Sequence, residues 1–230
     1  MRIAQITLAT ADPAEQADFW RDRLGVSVQA TDGATEVLLR RSKIRFEAAT
    51  GGAEPRYHFA INVPPDTIDE AAGWLGERQE ILRFHDDPDV EEGATIVHTD
   101  RGAACLYFLD GGGNVVELIS NPNLEDGREA LFGPDSLLEI AEIGVATADT
   151  AATRSAVEEV FGPEVLWGGS DPARLTAIGD DHGVVIVAPV GRGWIPVGLP
   201  AQALPTTIVA EGPRPAETTL PEGPYHLRAI

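Results

Sequence analysis

The chain has 230 residues, enough for one large domain or two small ones, and its 43% apolar and 23% charged composition is that of a folded globular protein. A formal charge of −20 repels phosphate backbones and anionic lipid, so no nucleic acid and no membrane is expected as a partner. The acidity itself reads as a solvated surface.

The predicted elements begin with a strand over Arg2 to Thr10. Asp12-Pro13-Ala14-Glu15 supplies a cap, a proline at the first helical position and an acid three residues after the cap, so a helix should run to about Leu24 and stop at Gly25. Strands are expected at Val26–Ala30, Ala34–Leu39 and Lys43–Ala48, with Asp32-Gly33 turning between the first two. The pattern restarts with a strand at Tyr57–Val63, a helix from Thr67 to about Arg78 and strands at Ile81–Phe84, Ala94–Thr99, Ala104–Leu109 and Val115–Ser120. Asp110 to Asn114 forms the last tight turn of this unit. Residues 121–136 read as a linker. A third unit follows: a strand from Leu137 to Ala146, a helix from Asp149 to Phe161, and strands near Val165, Leu175–Ile178 and Val184–Pro189. The tail is rich in proline, and only Thr206–Ala210, Glu217–Leu220 and Tyr225–Ile230 read as strands, so a fourth unit lacks its helix.

These units are copies. Gln5-Ile6-Thr7-Leu8-Ala9-Thr10-Ala11-Asp12 returns 137 residues later as Glu142-Ile143-Gly144-Val145-Ala146-Thr147-Ala148-Asp149. Each stretch precedes a helical pattern ending in Leu24-Gly25 or Phe161-Gly162. The expected division is two βαβββ modules over 1–122, a linker over 123–136 and a degenerate copy over 137–230, in which one full module precedes a shortened one. The first half is expected to hold the pocket, with the second packed against it or at a subunit interface; a homodimer stays open.

Strand alternation sorts the polar residues. Ile6 and Leu8 share a face opposite Gln5 and Thr7; Phe59, Ile61 and Val63 oppose His58, Ala60 and Asn62; Val116 and Leu118 oppose Glu117. If the sheet curls, Gln5, His58 and Glu117 converge from three strands. Tyr107 points into the same cup or joins the core, and His98 and Arg101 are rim candidates or ordinary loop residues. Asn62 is a further candidate to meet a small-molecule ligand. His85 reads as surface, Trp167 and Trp194 as packing or seam residues, and Cys105, the lone cysteine, as a small buried residue. Glu142 is the counterpart of Gln5, but with the fourth module reduced a second working site is not expected, although His226 lies in the last strand. The chain lacks a long apolar run or a signal-peptide pattern after Met1, which makes a cytoplasmic location the default expectation.

The run Tyr107-Phe108-Leu109-Asp110-Gly111-Gly112-Gly113-Asn114-Val115-Val116-Glu117-Leu118, with Phe19-Trp20 leading to Leu24-Gly25, resembles the vicinal oxygen chelate superfamily. That group includes glyoxalase I, extradiol dioxygenases and bleomycin-resistance proteins. Gly111 stands where the family has proline. The resemblance implies an α+β fold of paired βαβββ modules, forming curled, cup-shaped mixed sheets with helices outside. It implies a divalent metal (Zn, Ni, Fe or Mn) held by Gln5, His58 and Glu117, with Glu47 a fourth group if it faces the cup. Glu117 or Glu47 is then the candidate base. The implied activity is lyase or isomerase chemistry on a small oxygen-rich substrate. A metal-free binding protein and an extradiol-type dioxygenase are the alternatives; the second is disfavoured because its iron needs two histidines.

Overall fold

The computed structural model describes residues 1–85, 87–126, 131–162, 165–168, 175–220 and 223–230. The first module contains β1 (Ile3–Thr10), α1 (Pro13–Asp18), β2 (Ser27–Thr31), β3 (Ala34–Leu38) and β4 (Lys43–Ala48). The second contains β5 (His58–Val63), α2 (Ile68–Gly76), β6 (Val97–His98), β7 (Ala104–Leu109) and β8 (Val115–Ser120). The third contains β9 (Glu139–Thr147), α3 (Thr150–Phe161), β10 (Val165–Trp167), β11 (Thr176–Asp180) and β12 (Gly183–Pro189). A small hairpin, β13 (Gly193–Trp194) and β14 (Leu199–Pro200), leads to the fourth module of β15 (Thr206–Ala210), β16 (Ala216–Leu220) and β17 (Tyr225–Ala229), which has no helix among its described residues.

In every module the first strand pairs in parallel with the last: β1 with β4, β5 with β8, β9 with β12 and β15 with β17. Modules then join through antiparallel first strands, β1 to β15 and β5 to β9. Among the described residues, the pairing of Ile3 with Ile140 links β1 to β9 and makes one 15-stranded curled sheet. This is the α+β arrangement of paired modules that the sequence implies.

Two buried clusters follow the alternation of the strands. The larger holds the helix-facing residues, among them Ile6, Phe59, Ile61, Val116, Leu118 and Ile143. The smaller lies on the other face and includes Ala60, Cys105, Tyr107, Ile186 and Trp194. Strand β5 is buried on both faces for this reason.

The helix starts form as expected, with Asp12 Oδ1 accepting from the Ala14 amide at 2.8 Å and Asp149 Oδ1 from Ala152 at 2.9 Å. The first helix changes pitch, however: residues Phe19–Arg23 form a π turn. Two expected strands are corrected. Residues 81–84 are not a strand: Leu82 N donates to the Tyr107 carbonyl at 2.8 Å, but Phe84 then turns onto Gly93 and Ala94. The strand expected over Ala94–Thr99 contracts to Val97–His98. Of the expected linker 123–136, residues 127–130 lie outside the described residues, and Pro134–Ser136 form a short 3-10 turn.

The turn between β7 and β8 ties this frame together. Asp110 accepts from the Gly112 and Asn114 amides at 3.0 and 2.9 Å and from Gln16 Nε2 at 3.1 Å. Gln16 in turn accepts from the fully buried Trp20 indole at 3.1 Å, while Asn114 Oδ1 accepts from the Tyr57 amide at 2.8 Å. The turn therefore clamps α1 to the start of β5. Gly111 sits where a Cβ would lie 2.8 Å from the Glu15 carbonyl oxygen and 2.9 Å from Phe19 Cβ, which explains why proline is absent here. Gly111→Ala should therefore lower stability by about 1–3 kcal/mol in urea unfolding; an unchanged midpoint would mean that α1 moves freely away from this turn.

Candidate metal and substrate site

Strand β5 is the centre of the site. Ala60 lies beside Glu117 on parallel β8 and beside Glu142 on antiparallel β9. Neighbours in register point to the same face, and His58, two residues before Ala60, shares it. The small Ala60 side chain leaves the space between the two carboxylates open. His58 Nε2 stands 3.6 Å from Glu117 Oε2 and 3.8 Å from Glu142 Oε2, and one ligand atom from each of the three lies within 4.8 Å of the others.

His58 Nδ1 faces the Val115 carbonyl oxygen at 3.2 Å. Opposite a carbonyl, that nitrogen donates, so the Nε2 lone pair is turned toward the carboxylates. Donors around a tetrahedral ion with bonds of about 2.1 Å sit roughly 3.4 Å apart. One imidazole and two carboxylates at the observed spacing thus fit a divalent transition metal. Among the described residues no fourth His, Cys or carboxylate joins them, and the module repeat shows one reason: the pair Ala60 and Glu117 is matched in the third module by Gly144 and Ile186.

The three residues sit in a cavity of about 450 Å³. Tyr107 is directly opposite Glu117 across β7 and β8, and Cys105 lies two residues earlier on the same face of β7. Burial pushes Glu117 up to about 7; the charge of Glu142 adds to this, and His58 opposes it. Burial pulls His58 down, but the neighbouring Glu142 and Glu117 carboxylates leave it raised. Burial, followed by the Glu117 charge, drives the Cys105 thiol and Tyr107 hydroxyl well up, so both stay protonated at neutral pH. Above the imidazole lies Trp194, with ring centres 5.1 Å apart. Gly144 makes room for that indole, since a Cβ there would lie 2.7 Å from Trp194 Cη2.

Several sequence expectations are redrawn. Gln5 does not join His58 and Glu117: β1 pairs with β4 and β15, and the Gln5 amide donates to Thr7 Oγ1 at 3.0 Å. The position in its module that matches Glu117 holds Arg45, a cation engaged by Glu36 and Glu47. Glu142, set aside in the sequence reading, takes the third place instead. Glu47 is half exposed, bonded to Arg45 at 2.7 Å and absent from the cavity wall. His98 is exposed on edge strand β6 and does not line the cavity. His226 is bound to Glu217 at 2.7 Å, away from this site. His85 is exposed, as expected.

Tyr107, Asn62 and Arg101 do line the cavity. The Asn62 amide donates to the His182 carbonyl at 3.3 Å, and Arg101 pairs with Asp181 at 3.2 Å. The cavity draws on both halves of the chain rather than on the first alone; Trp194, expected as a packing or seam residue, is in its wall, as is Ile186, which carried no signal in the sequence. The signal for Glu142 was present, because it is the repeat counterpart of the residue chosen.

The profile of the glyoxalase-like domain family matches residues 5–119. Among solved structures, a Bacillus subtilis subsp. subtilis str. 168 protein described only provisionally as a dioxygenase superposes with a TM-score of 0.62 at 14% identity, covering 100% of this chain and 85% of that one. Glyoxalase I from Zea mays superposes with a TM-score of 0.58 at 13% identity, covering 99% and 92%. No curated protein matches the sequence. With half its length matched by the family profile, and with the paired-module fold around a His–Glu–Glu cluster, the chain belongs to the glyoxalase-like domain family of the vicinal oxygen chelate superfamily.

Proposed function

We propose that the chain is a metal-assisted enzyme of the lyase or isomerase type acting on a small oxygen-rich molecule, with His58, Glu117 and Glu142 as the metal-binding set. The observation that carries this reading is the convergence of three donor atoms on the floor of a cavity large enough for a small substrate. One histidine with two carboxylates departs from the two-histidine set suited to ring-cleaving iron, so dioxygenase chemistry ranks lower.

When bound, a divalent cation supplies Lewis-acid polarisation of neighbouring substrate oxygens. The chain supplies the rest. His58 is fixed in one tautomer by Val115, and Glu117 is placed by its register between Ala60 on β5 and Tyr107 on β7. Glu142 is the more accessible carboxylate, 18% exposed against 7% for Glu117, so it is the group that exchanges a proton with the carbon next to a polarised oxygen. The apolar walls around it exclude water and strengthen each electrostatic contact.

The rival is a metal-free binding protein. In its favour, the polar floor holds partners of its own: His58 bonds to Val115 and faces both Glu117 and Glu142. Metal analysis separates the two. Wild type should bind about one divalent ion per chain and gain about 2.7 kcal/mol of stability with free metal near a hundred times Kd. His58→Ala and Glu142→Ala should lose the ion while remaining folded, and Gln5→Ala should keep it. A wild-type protein that binds no ion, and whose ligand affinity ignores chelator, is the binding protein instead.

Metal binding should also depend on pH. Glu117 is raised to about 7 and must lose its proton to bind, and His58, also raised, must be neutral. Protonation competes below that range, so affinity should fall at least about tenfold between pH 8 and pH 6 in metal titrations followed by calorimetry. Flat affinity across this range would mean that Glu117 is not a ligand.

A further inference from the structure

One cation in the cavity wall has no assigned work. Arg192 lies in the turn between β12 and β13, two residues before Trp194, and lines the same cavity. Its turn is held by backbone hydrogen bonds, from the Ala201 amide to the Arg192 carbonyl at 2.7 Å and from the Gly191 amide to the Ala201 carbonyl at 2.8 Å. The guanidinium donates to the Gly193 carbonyl at 3.1 Å. Among the described residues no carboxylate pairs with it. Its pKa is lowered by burial alone, with no acid pulling it back. The contrast with Arg101, the other cation of this wall, is direct, since Arg101 is taken up by Asp181 at 3.2 Å.

In a chain of 37 acidic and 17 basic side chains, a half-buried arginine left without an acid is free to take an anion from outside. The guanidinium fork matches a carboxylate in two parallel bonds. A carboxylate also suits the net charge of −20 better than a phosphate dianion, which the surrounding field repels more strongly. Trp194, Ile195 and Ile186 line the same cavity and form an apolar and partly aromatic wall. Two residues of chain span at most about 7 Å, so the anion site and the indole over His58 are within reach of one small molecule.

We infer that the cavity takes a small organic monoacid, its carboxylate held by Arg192, its flat apolar body laid along Trp194, and its reacting oxygens directed to His58, Glu117 and Glu142. This rests on the reading of the cavity as the substrate site. It names the part of the substrate remote from the chemistry, the part that fixes orientation.

The test uses a matched pair of probes, naphthalene-2-carboxylate and the neutral naphthalene-2-carboxamide, titrated against tryptophan fluorescence of the full chain. The wild type should prefer the acid by about tenfold or more. Arg192→Gln should bring the two probes to within about threefold of each other while leaving amide affinity unchanged, and Arg192→Lys should keep part of the preference. Equal binding of the two probes by wild type, binding of neither, or a preference that survives Arg192→Gln would each overturn the inference. Metal binding, measured on the same samples, keeps the two readings apart. Metal bound with no acid preference sinks only the acid site, whereas an Arg192-dependent preference without metal keeps the acid site and removes the enzyme.

Discussion

The site depends on one register. Ala60 has a glutamate beside it on each neighbouring strand, Glu117 through a parallel ladder and Glu142 through an antiparallel one. A slip of one residue in either ladder would turn that carboxylate to the helix-packed face, where it would meet Phe59, Ile61 and their neighbours. The apolar cluster on that face therefore does more than stabilise the sheet: it holds both ladders in register, because burying a lone carboxylate among those side chains is far costlier than keeping it in the cup.

Support for this arrangement comes from outside the site. The Asp110–Asn114 turn is bonded to α1 through Gln16 and to the start of β5 through the Tyr57 amide, so it sets where β5 begins and hence where His58 stands. The motif residues of that turn carry fold rather than chemistry. Their hydrogen bonds go to helix and strand, and none of Asp110, Gly112 or Asn114 lines the cavity. Trp194, from the hairpin after the third module, packs over the imidazole where Gly144 leaves room. Charge on the floor is thus enclosed between sheet and indole, where low dielectric raises both its cost and its chemical use.

Much of this was legible in the residues. Capped helices, the glycine-rich turn and the alternation of Phe59, Ile61 and Val63 with His58 and Asn62 are local patterns, and the strands and helices they imply largely form. The failures are also physical. Residues 81–84 carry enough apolar character for a strand but bend onto Gly93 and Ala94, a tertiary contact with no local signal. Gln5 and Glu142 occupy equivalent places in their modules, and their own strands do not say which one meets His58.

From the sequence alone came the modules, their repetition and the two faces of each strand; the meeting of His58 with Glu117 rested on the family resemblance, which placed Gln5 with them. The tertiary structure alone decided which module lies against the second. Joining β5 to β9 brings in Glu142 and leaves Gln5 beside Arg45, and it lets Arg192 and Trp194 complete the wall. That choice is made between strands about 80 residues apart, by the summed burial of two sheets, and no short stretch of chain encodes it.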